Sequence, residues 1–367
     1  MIVMAELATY TIAASVLRDF VAAIFRGAGC GAEEAAEIGL HLVSANLTGH
    51  DSHGVIRIPR YIEDIQTKRT LIGQTVTVVS ESATHAVLDG KYGFGQHVGP
   101  QAVAIGVAKA RKEGLSVVAL RRSAHIGRIG GWAEMAADAG LISIHFVNVD
   151  NYPMVAPFGG VARRFSTNPV TIGVPPMAGR AMLLLDMATS VVAEGKVMVA
   201  SNGGKPVPEG ALITPEGRLS TDPETLYGPL VPNGPRNSFF GKGSLRAFGE
   251  HKGSGLAFMC EILAGVLTGG YTSGPLHDDG RQISNGMFSI YLDPLHFGCE
   301  DFVRKTMEYV DYVKSSPTAE GCEEVLYPGE PEARHRAVRE VEGIPLQVDT
   351  WVNLCNIAKG FGIPIPA

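Results

Sequence analysis

The stretch Gly49-His50-Asp51-Ser52-His53-Gly54-Val55-Ile56-Arg57-Ile58-Pro59-Arg60-Tyr61 sets a hydroxyl, an imidazole and a guanidinium side by side. An imidazole titrates near neutral pH and can give or take a proton there. A guanidinium grips a carboxylate through two parallel hydrogen bonds. If the segment is helical, His53 and Arg57 stand four apart and share a face. Ser52, His53 and Arg57 then suit a small substrate with a carboxylate and a group whose protonation changes. The bland reading is a surface helix start, with Ser52 as its cap and Arg57 solvated. A metal reading rests on His50, Asp51 and His53, but spacing supplies no further ligand.

Other clusters carry chemistry of their own. Ser123-Ala124-His125-Ile126-Gly127-Arg128-Ile129-Gly130 follows an apolar strand and precedes a helix, a junction that commonly lines a pocket. His125 is a second polar group for a substrate there, or a helix cap. Leu183-Leu184-Leu185-Asp186-Met187-Ala188-Thr189-Ser190 is an apolar strand ending in an acid and two hydroxyls. Asp186 can orient an imidazole or cap a helix. His251, Lys252 and Gly253 open an apolar helix whose free N–H groups, with Lys252, would suit a phosphate. Tyr327-Pro328-Gly329-Glu330 is a turn before a helix, able to hold a ribose or phosphate, or only to cap. The run Gly90-x-x-Gly93-Phe94-Gly95-Gln96-His97-Val98-Gly99 is not a dinucleotide fingerprint, because its last glycine comes one position late and no acid ends the next strand. The histidines at 41, 85, 145, 277, 296 and 335 fall in no constellation and read as structural or exposed.

These groups need a scaffold. The chain has 367 residues, long enough for two domains, with 45% hydrophobic and 19% charged residues, which fits a soluble globular protein. A net charge of −6 without a basic tract argues against nucleic acid and anionic membranes. The apolar run 255–267 is broken by Glu261 and too short to span a bilayer. Glu6 comes early and no cationic region precedes the apolar residues, so no signal peptide is expected. The five cysteines (Cys30, Cys260, Cys299, Cys322 and Cys355) form no close pair, which reads as reduced thiols in a cytoplasmic protein.

Apolar periodicity predicts helices over 10–26 and 32–46, and a third helix carrying Tyr61, Ile62 and Ile65. Strands are expected at 75–79, 85–88, 116–120, 141–149, 171–174, 182–187 and 287–292, with helices at 102–112 and 131–139 between them. That pattern predicts an α/β unit over 74–294 with a largely buried sheet. Helical spacing returns after Pro294, near 302–313, 332–342 and 350–359. The simplest packing joins 1–73 and 295–367 into one discontinuous helical domain. Residues 201–250, rich in Gly, Pro, Asn and Ser, read as a long irregular excursion of the kind that is often functional.

Taken together and in order, these clusters resemble the malate/L-lactate dehydrogenase family that lacks a Rossmann fold. The matching segments are Asp51-Ser52-His53-Gly54-x-x-Arg57, Ser123-x-His125-x-Gly127, Pro157-Phe158-Gly159-Gly160, Asn168-Pro169, Asp186 to Ser190, His251-Lys252-Gly253 and Pro328-Gly329-Glu330. The segments around 125–130, 143–147 and 259–263 resemble its hydroxycarboxylate dehydrogenase branch. Ala211-Leu212-Ile213-Thr214 departs from the family's usual Trp-Ala-x-Asp, and 228–240 resembles an insertion. The resemblance implies a mixed-sheet α/β cofactor domain, not a Rossmann fold, plus a helical domain from both chain ends. It implies an oxidoreductase using NAD or NADP on a 2-hydroxy or 2-oxo acid, usually as a homodimer. Sulfolactate, ureidoglycolate and diketogulonate oxidoreductases and a cyclic imino-acid reductase belong to the same family. By resemblance Ser52, His53 and Asp186 match relay and proton-donor positions, and Arg57 and His125 match substrate positions, with His125 the acid/base in some members. Asp186, Met187, Ala188, Thr189 and Ser190, then His251, Lys252 and Gly253, then Pro328, Gly329 and Glu330, match cofactor contacts. No metal is expected. The other classes are a metal-dependent hydrolase and a catalytically silent binding protein.

Overall fold

The computed structural model describes residues 9–201, 207–229, 237–277 and 282–366. Glu6 and parts of the 201–250 excursion lie outside them. In chain order the first elements are β1 (Thr9–Ile12), α1 (Ala14–Gly27), α2 (Ala32–Leu47), α3 (Ile58–Gln66), β2 (Thr77–Glu81), β3 (His85–Asp89), α4 (Gly95–Glu113), β4 (Leu115–Ser123), α5 (Gly130–Asp138) and β5 (Ile142–Val149). The middle of the chain gives β6 (Val155–Ala156), β7 (Val170–Gly173), β8 (Leu184–Met187), α6 (Glu194–Ser201), β9 (Leu212–Ile213), β10 (Leu219–Ser220), α7 (Glu224–Tyr227), β11 (Ser244–Arg246) and α8 (His251–Cys260). The rest is β12 (Asn285–Leu292), α9 (Phe302–Lys314), α10 (Glu330–Glu342), β13 (Ile344–Gln347) and α11 (Val348–Gly360).

A seven-stranded mixed sheet, in the order β2-β3-β4-β12-β5-β7-β8, forms the α/β part. Only β3 and β4 pair in parallel, through the crossover helix α4; the other neighbours are antiparallel. Leu120, Trp132, Ala136 and Tyr291 belong to the core that joins α4 and α5 to this sheet. A π-helical turn, Glu261–Val266, continues α8 and packs on β5 and β12. Gly286 permits that approach, since a Cβ there would lie 1.9 Å from the Ala264 carbonyl oxygen. A smaller sheet, β10-β9-β11-β6, has its own core around Val155, Leu212, Leu226 and Leu245.

The helical core takes Leu17, Phe20, Phe25, Ile38 and Leu42 from one end of the chain and Ile344, Leu346, Leu354 and Ala358 from the other. It also holds Val55, Ile58 and Tyr61, so the motif at 50–61 is anchored in it. Each fully buried aliphatic residue of this kind contributes roughly 1.5–3 kcal/mol.

Two expectations change. Residues 9–12 are not the first turn of a helix but an antiparallel strand, because they pair with Ile344–Gln347. And α9 does not pack on the N-terminal helices: its Val310 clusters with Met177 and Tyr327, beside β8. No helix of the described residues is long and apolar enough to cross a membrane.

Candidate active site

Residues 50–57 are not one α-helix. They form two short 3-10 turns, Asp51–His53 and Val55–Arg57, separated by the extended Gly54. His53 and Arg57 therefore do not share an α-helical face as the spacing predicted. Pro59 sits at the start of α3, where a missing N–H leaves nothing unsatisfied. The buried Asn46 organises the turn: its side-chain oxygen accepts from Val55 N–H at 2.9 Å and its amide donates to Asp51 at 2.6 Å. A Cβ on Gly54 would fall 2.2 Å from that oxygen, so only glycine lets Asn46 approach. Arg339 grips Asp51 with two nitrogens, at 2.8 and 3.0 Å.

The side chains then converge. Ser52 Oγ and His53 Nδ1 are 3.0 Å apart. Arg57 donates from Nε to the Ser52 carbonyl at 2.6 Å, leaving its outer nitrogens toward Glu194, whose Oε2 is 3.8 Å from Nη2. Tyr227 donates to Glu194 in turn. His125 arrives from the end of β4 and lies nearly parallel to His53, with ring centroids 5.7 Å apart and planes 19° apart. Ile126 N–H donates to Asn285 at 2.9 Å, which pins that loop to β12. Burial is the main reason both imidazoles favour the neutral form. It holds His53 well below its ordinary value, and the Arg57 and His125 charges add to this. It pushes His125 down to about 3, with Arg57 adding to it.

Ser52 and His53 line a cavity of about 860 Å³, near the upper end of the range for small-molecule sites. Asp186, Met187, Ala188 and Ser190 line it from β8; Pro331, Glu332 and His335 from α10; Gln347 and Thr350 from the C-terminal elements. A neighbouring groove of about 930 Å³, lined by Leu40, His41, Trp132 and Ala337 among others, shares Thr48 and Glu332 with this cavity but touches none of Ser52, His53 and Arg57.

The structure thus brings Ser52, His53, Arg57 and His125 together, with Asp186 on the same cavity wall. Asp186 does not hydrogen-bond His53 among the described contacts. Its Oδ2 accepts from Gly130 N–H at 3.0 Å, at the start of α5, with Arg128 Nη1 3.9 Å away. This is the helix-cap geometry weighed from sequence. Burial raises its carboxyl, opposed by His50, Arg128 and the Gly130 N–H. Thr189 is fully buried and spends its hydroxyl on the Thr167 carbonyl. His251, Lys252 and Gly253 open α8 just past Phe248, which lines the cavity, but none of the three lines it. The 328–330 turn does structural work: Pro328 O accepts from Leu184 N–H at 3.0 Å, and Glu330 takes Lys314 and Tyr327 N–H. Gly329 has φ of +100° and a Cβ there would sit 2.1 Å from the Met182 carbonyl. The metal reading loses its ligands to other partners, since His50 Nε2 faces Glu332 at 3.5 Å and Asp51 is held by Arg339. No group of three metal-binding side chains occurs among the described residues.

Sequence reasoning missed four site residues: Tyr61, Gln96, Arg128 and Glu194. Tyr61 lies four positions after Arg57 and was open to discovery by helical spacing. Arg128 lies in the His125 segment and Gln96 in the glycine-rich run, but only tertiary contacts show what they face, and Glu194 had no local signal. Arg128 lines the cavity and is almost wholly buried, yet its Nη1 has no hydrogen-bond partner. A buried guanidinium nitrogen with no hydrogen bond and only the Asp186 carboxylate 3.9 Å away suits a polar ligand group, so the residues present fit a polar part of a nucleotide cofactor.

The sequence profile for malate/L-lactate dehydrogenase matches residues 12–355. Hydroxycarboxylate dehydrogenase B of Escherichia coli (strain K12) is 42% identical over 357 residues, covering 96% of this chain and 94% of that protein. L-lactate dehydrogenase of Cupriavidus necator is 36% identical over 337 residues, covering 91% and 93%. The solved structure of malate dehydrogenase from Pyrococcus horikoshii superimposes with a TM-score of 0.85 at 29% identity and covers 99% of each chain.

Proposed function

Because the chain belongs to the malate/L-lactate dehydrogenase family and is a dehydrogenase of 2-hydroxy acids, we propose that its cavity seats NAD or NADP beside a small carboxylate substrate. The observation that carries this is that His53 shares its cavity with Asp186, Met187, Ala188 and Ser190, while His125 stacks on His53 and Arg57 is tied to the Ser52 carbonyl behind it. A nicotinamide held there would supply the hydride chemistry at C2 of the substrate. Asp186, Met187, Ala188, Ser190 and Arg128 would hold the cofactor on the α/β side. Arg57 clamps the substrate carboxylate with the nitrogens its Ser52 contact leaves open. His53 gives a proton to the C2 oxygen during reduction and takes it back during oxidation. Its pKa, kept low by burial and by Arg57, rises when a carboxylate offsets the Arg57 charge, so substrate binding itself readies the imidazole. Ser52 fixes the ring through Nδ1, and Asp186 shapes the wall by holding α5.

We propose a homodimer as well. Phe258, Met259, Ile262, Val266 and Leu267 are exposed on α8 and its π-helical continuation, an apolar face that a second copy would cover. Light scattering tests it: the expected mass is twice 38.8 kDa, and a monomer overturns it. Cytoplasmic residence is supported by the buried, unpaired thiols of Cys30, Cys260 and Cys355.

The functional test is a spectrophotometric panel of NADH and NADPH, each against pyruvate, phenylpyruvate, oxaloacetate, sulfopyruvate, cyclic imino acids and sugar-derived keto acids. Cofactor oxidation with at least one 2-oxo acid is expected, and no turnover across the panel overturns the reading. His53→Ala is expected to lose most turnover while still binding reduced nicotinamide; wild-type-like turnover would remove His53 from the mechanism.

A further inference from the structure

The proposal above leaves two neutral imidazoles beside one substrate oxygen. The groups behind His125 decide what it can do. Tyr61 Oη lies 2.5 Å from His125 Nδ1. Gln96 Nε2 lies 3.1 Å from Tyr61 Oη and 3.2 Å from the His125 backbone carbonyl. All three residues are held tightly: Gln96 and Tyr61 are buried, and the His125 loop is pinned by Asn285.

The direction of each hydrogen bond follows from which groups can donate. A backbone carbonyl only accepts. The Gln96 nitrogen must therefore face His125 O; turning the amide over would set two oxygens against each other. That fixes the amide as a donor to Tyr61 Oη as well. The phenol proton then needs its own acceptor, and His125 Nδ1 is the one in reach. The opposite arrangement, with Nδ1–H donating to the phenol, would strand the Tyr61 proton in a buried site, at a cost that buried donors rarely bear.

We propose that Gln96 and Tyr61 lock His125 as the Nε2–H tautomer, making it a fixed hydrogen-bond donor to the C2 oxygen and leaving proton exchange to His53. This rests on the dehydrogenase reading of the cavity. Nε2 makes no hydrogen bond among the described residues, so its N–H is left for a ligand. A ring bearing its proton at Nε2 cannot accept another there, so it cannot serve as base for the substrate hydroxyl. Its role is to stabilise negative charge on the C2 oxygen as hydride arrives at carbon, and to keep its own proton. Tyr61 and Gln96 are positioning residues that act through His125. In the balanced step of reduction, hydride adds to C2, the C=O π pair moves to oxygen, and the proton comes from His53.

Two measurements test this. In protein labelled with ¹⁵N-histidine, long-range proton–nitrogen correlation should show His125 unprotonated at Nδ1 and protonated at Nε2, and Tyr61→Phe should mix the two tautomers. The second is a pH profile. His125→Gln keeps an N–H donor but cannot exchange a proton. In the reduction direction it should keep roughly a tenth of wild-type kcat, with the alkaline limb, where the proton donor is lost, in place, whereas His53→Gln should lose on the order of a thousandfold and the limb with it. An Nδ1–H signature in the wild type overturns the proposal. So does a His125→Gln enzyme that loses the limb or falls as far as His53→Gln, or one indistinguishable from wild type. The tautomer reads out whether or not any hydroxy acid is turned over, so failure of the dehydrogenase reading appears separately, as a silent substrate panel.

Discussion

Glu194→Gln is the perturbation whose size the structure sets most directly. Glu194 opens α6, and its carboxylate sits 3.8 Å from Arg57 Nη2, on the guanidinium that the substrate carboxylate is proposed to occupy. Two carboxylates on one guanidinium are roughly 6 Å apart. At an effective dielectric of about 20 their repulsion is about 3 kcal/mol. Both side chains keep some solvent contact and Tyr227 hydrogen-bonds Glu194, so about half of that is expected in binding, or roughly tenfold in affinity. Gln is isosteric and can still accept from Tyr227. Initial rates of reduced-nicotinamide oxidation, with pyruvate and oxaloacetate varied in turn, should show KM for pyruvate falling about tenfold with kcat within about twofold. Oxaloacetate carries a second negative charge and should gain more. A rise in KM, or a collapse of kcat, refutes this reasoning. It would mean that Glu194 holds Arg57 in place rather than competing with its ligand.

His41, His125 and His145 are pushed down to about 3 by burial, so the native state favours the neutral ring while the unfolded chain takes up protons from about pH 6.5 downward. Stability is therefore fully present above that pH and falls as pH drops toward 3, by up to about 1.4 kcal/mol per histidine per pH unit. Urea midpoints measured from pH 8 to about 5 should shrink accordingly, and His145→Gln, distant from the cavity, should flatten the slope by about one proton; a midpoint independent of pH would contradict this. Gly286→Ala forces a Cβ against the Ala264 carbonyl and is expected to cost several kcal/mol, seen as a large loss of thermal midpoint; an unchanged midpoint would show that the π-helical turn is free to shift. Asp186→Ala removes the acceptor for Gly130 N–H and should cost about 1 kcal/mol, whereas Asp186→Asn keeps a side-chain acceptor and should lose less; equal losses would mean that charge, not the cap, is what matters there.

The elements that the sequence made legible are those with dense local signals. The strands 85–89, 115–123 and 285–292 and the helices 302–314 and 330–342 follow runs of apolar residues at regular spacing. Thr9–Ile12 carries no such signal, because its partner strand begins at Ile344 and only the fold brings them together. The same limit applies at the site. Ser52, His53 and Arg57 announce themselves by proximity in sequence, and the structure keeps them together despite replacing the expected helix with two short turns. Asp186 has several physically sensible partners, and its sequence could not choose between an imidazole and the Gly130 amide. Gln96 looks like one polar residue in a glycine-rich run until His125 is placed beside it.

The pairing of Thr9–Ile12 with Ile344–Gln347 also has a consequence in time. Ile12 and Ile344 are 332 positions apart, and joining them costs about 5 kcal/mol in loop-closure entropy plus a constant. On a ribosome adding 5–20 residues per second, the Ser52–Arg57 turn is made on the order of tens of seconds before Leu354 and Ala358 emerge to finish the core that holds it. The α/β sheet, complete once β12 is out, is free to fold in the interval. The catalytic turn is thus synthesised well before the segment that locks it. A nascent chain stalled before β13 would carry a folded sheet and an unclosed proton-transfer site, and catalysis would begin only once Ile344 to Ala358 had joined the core.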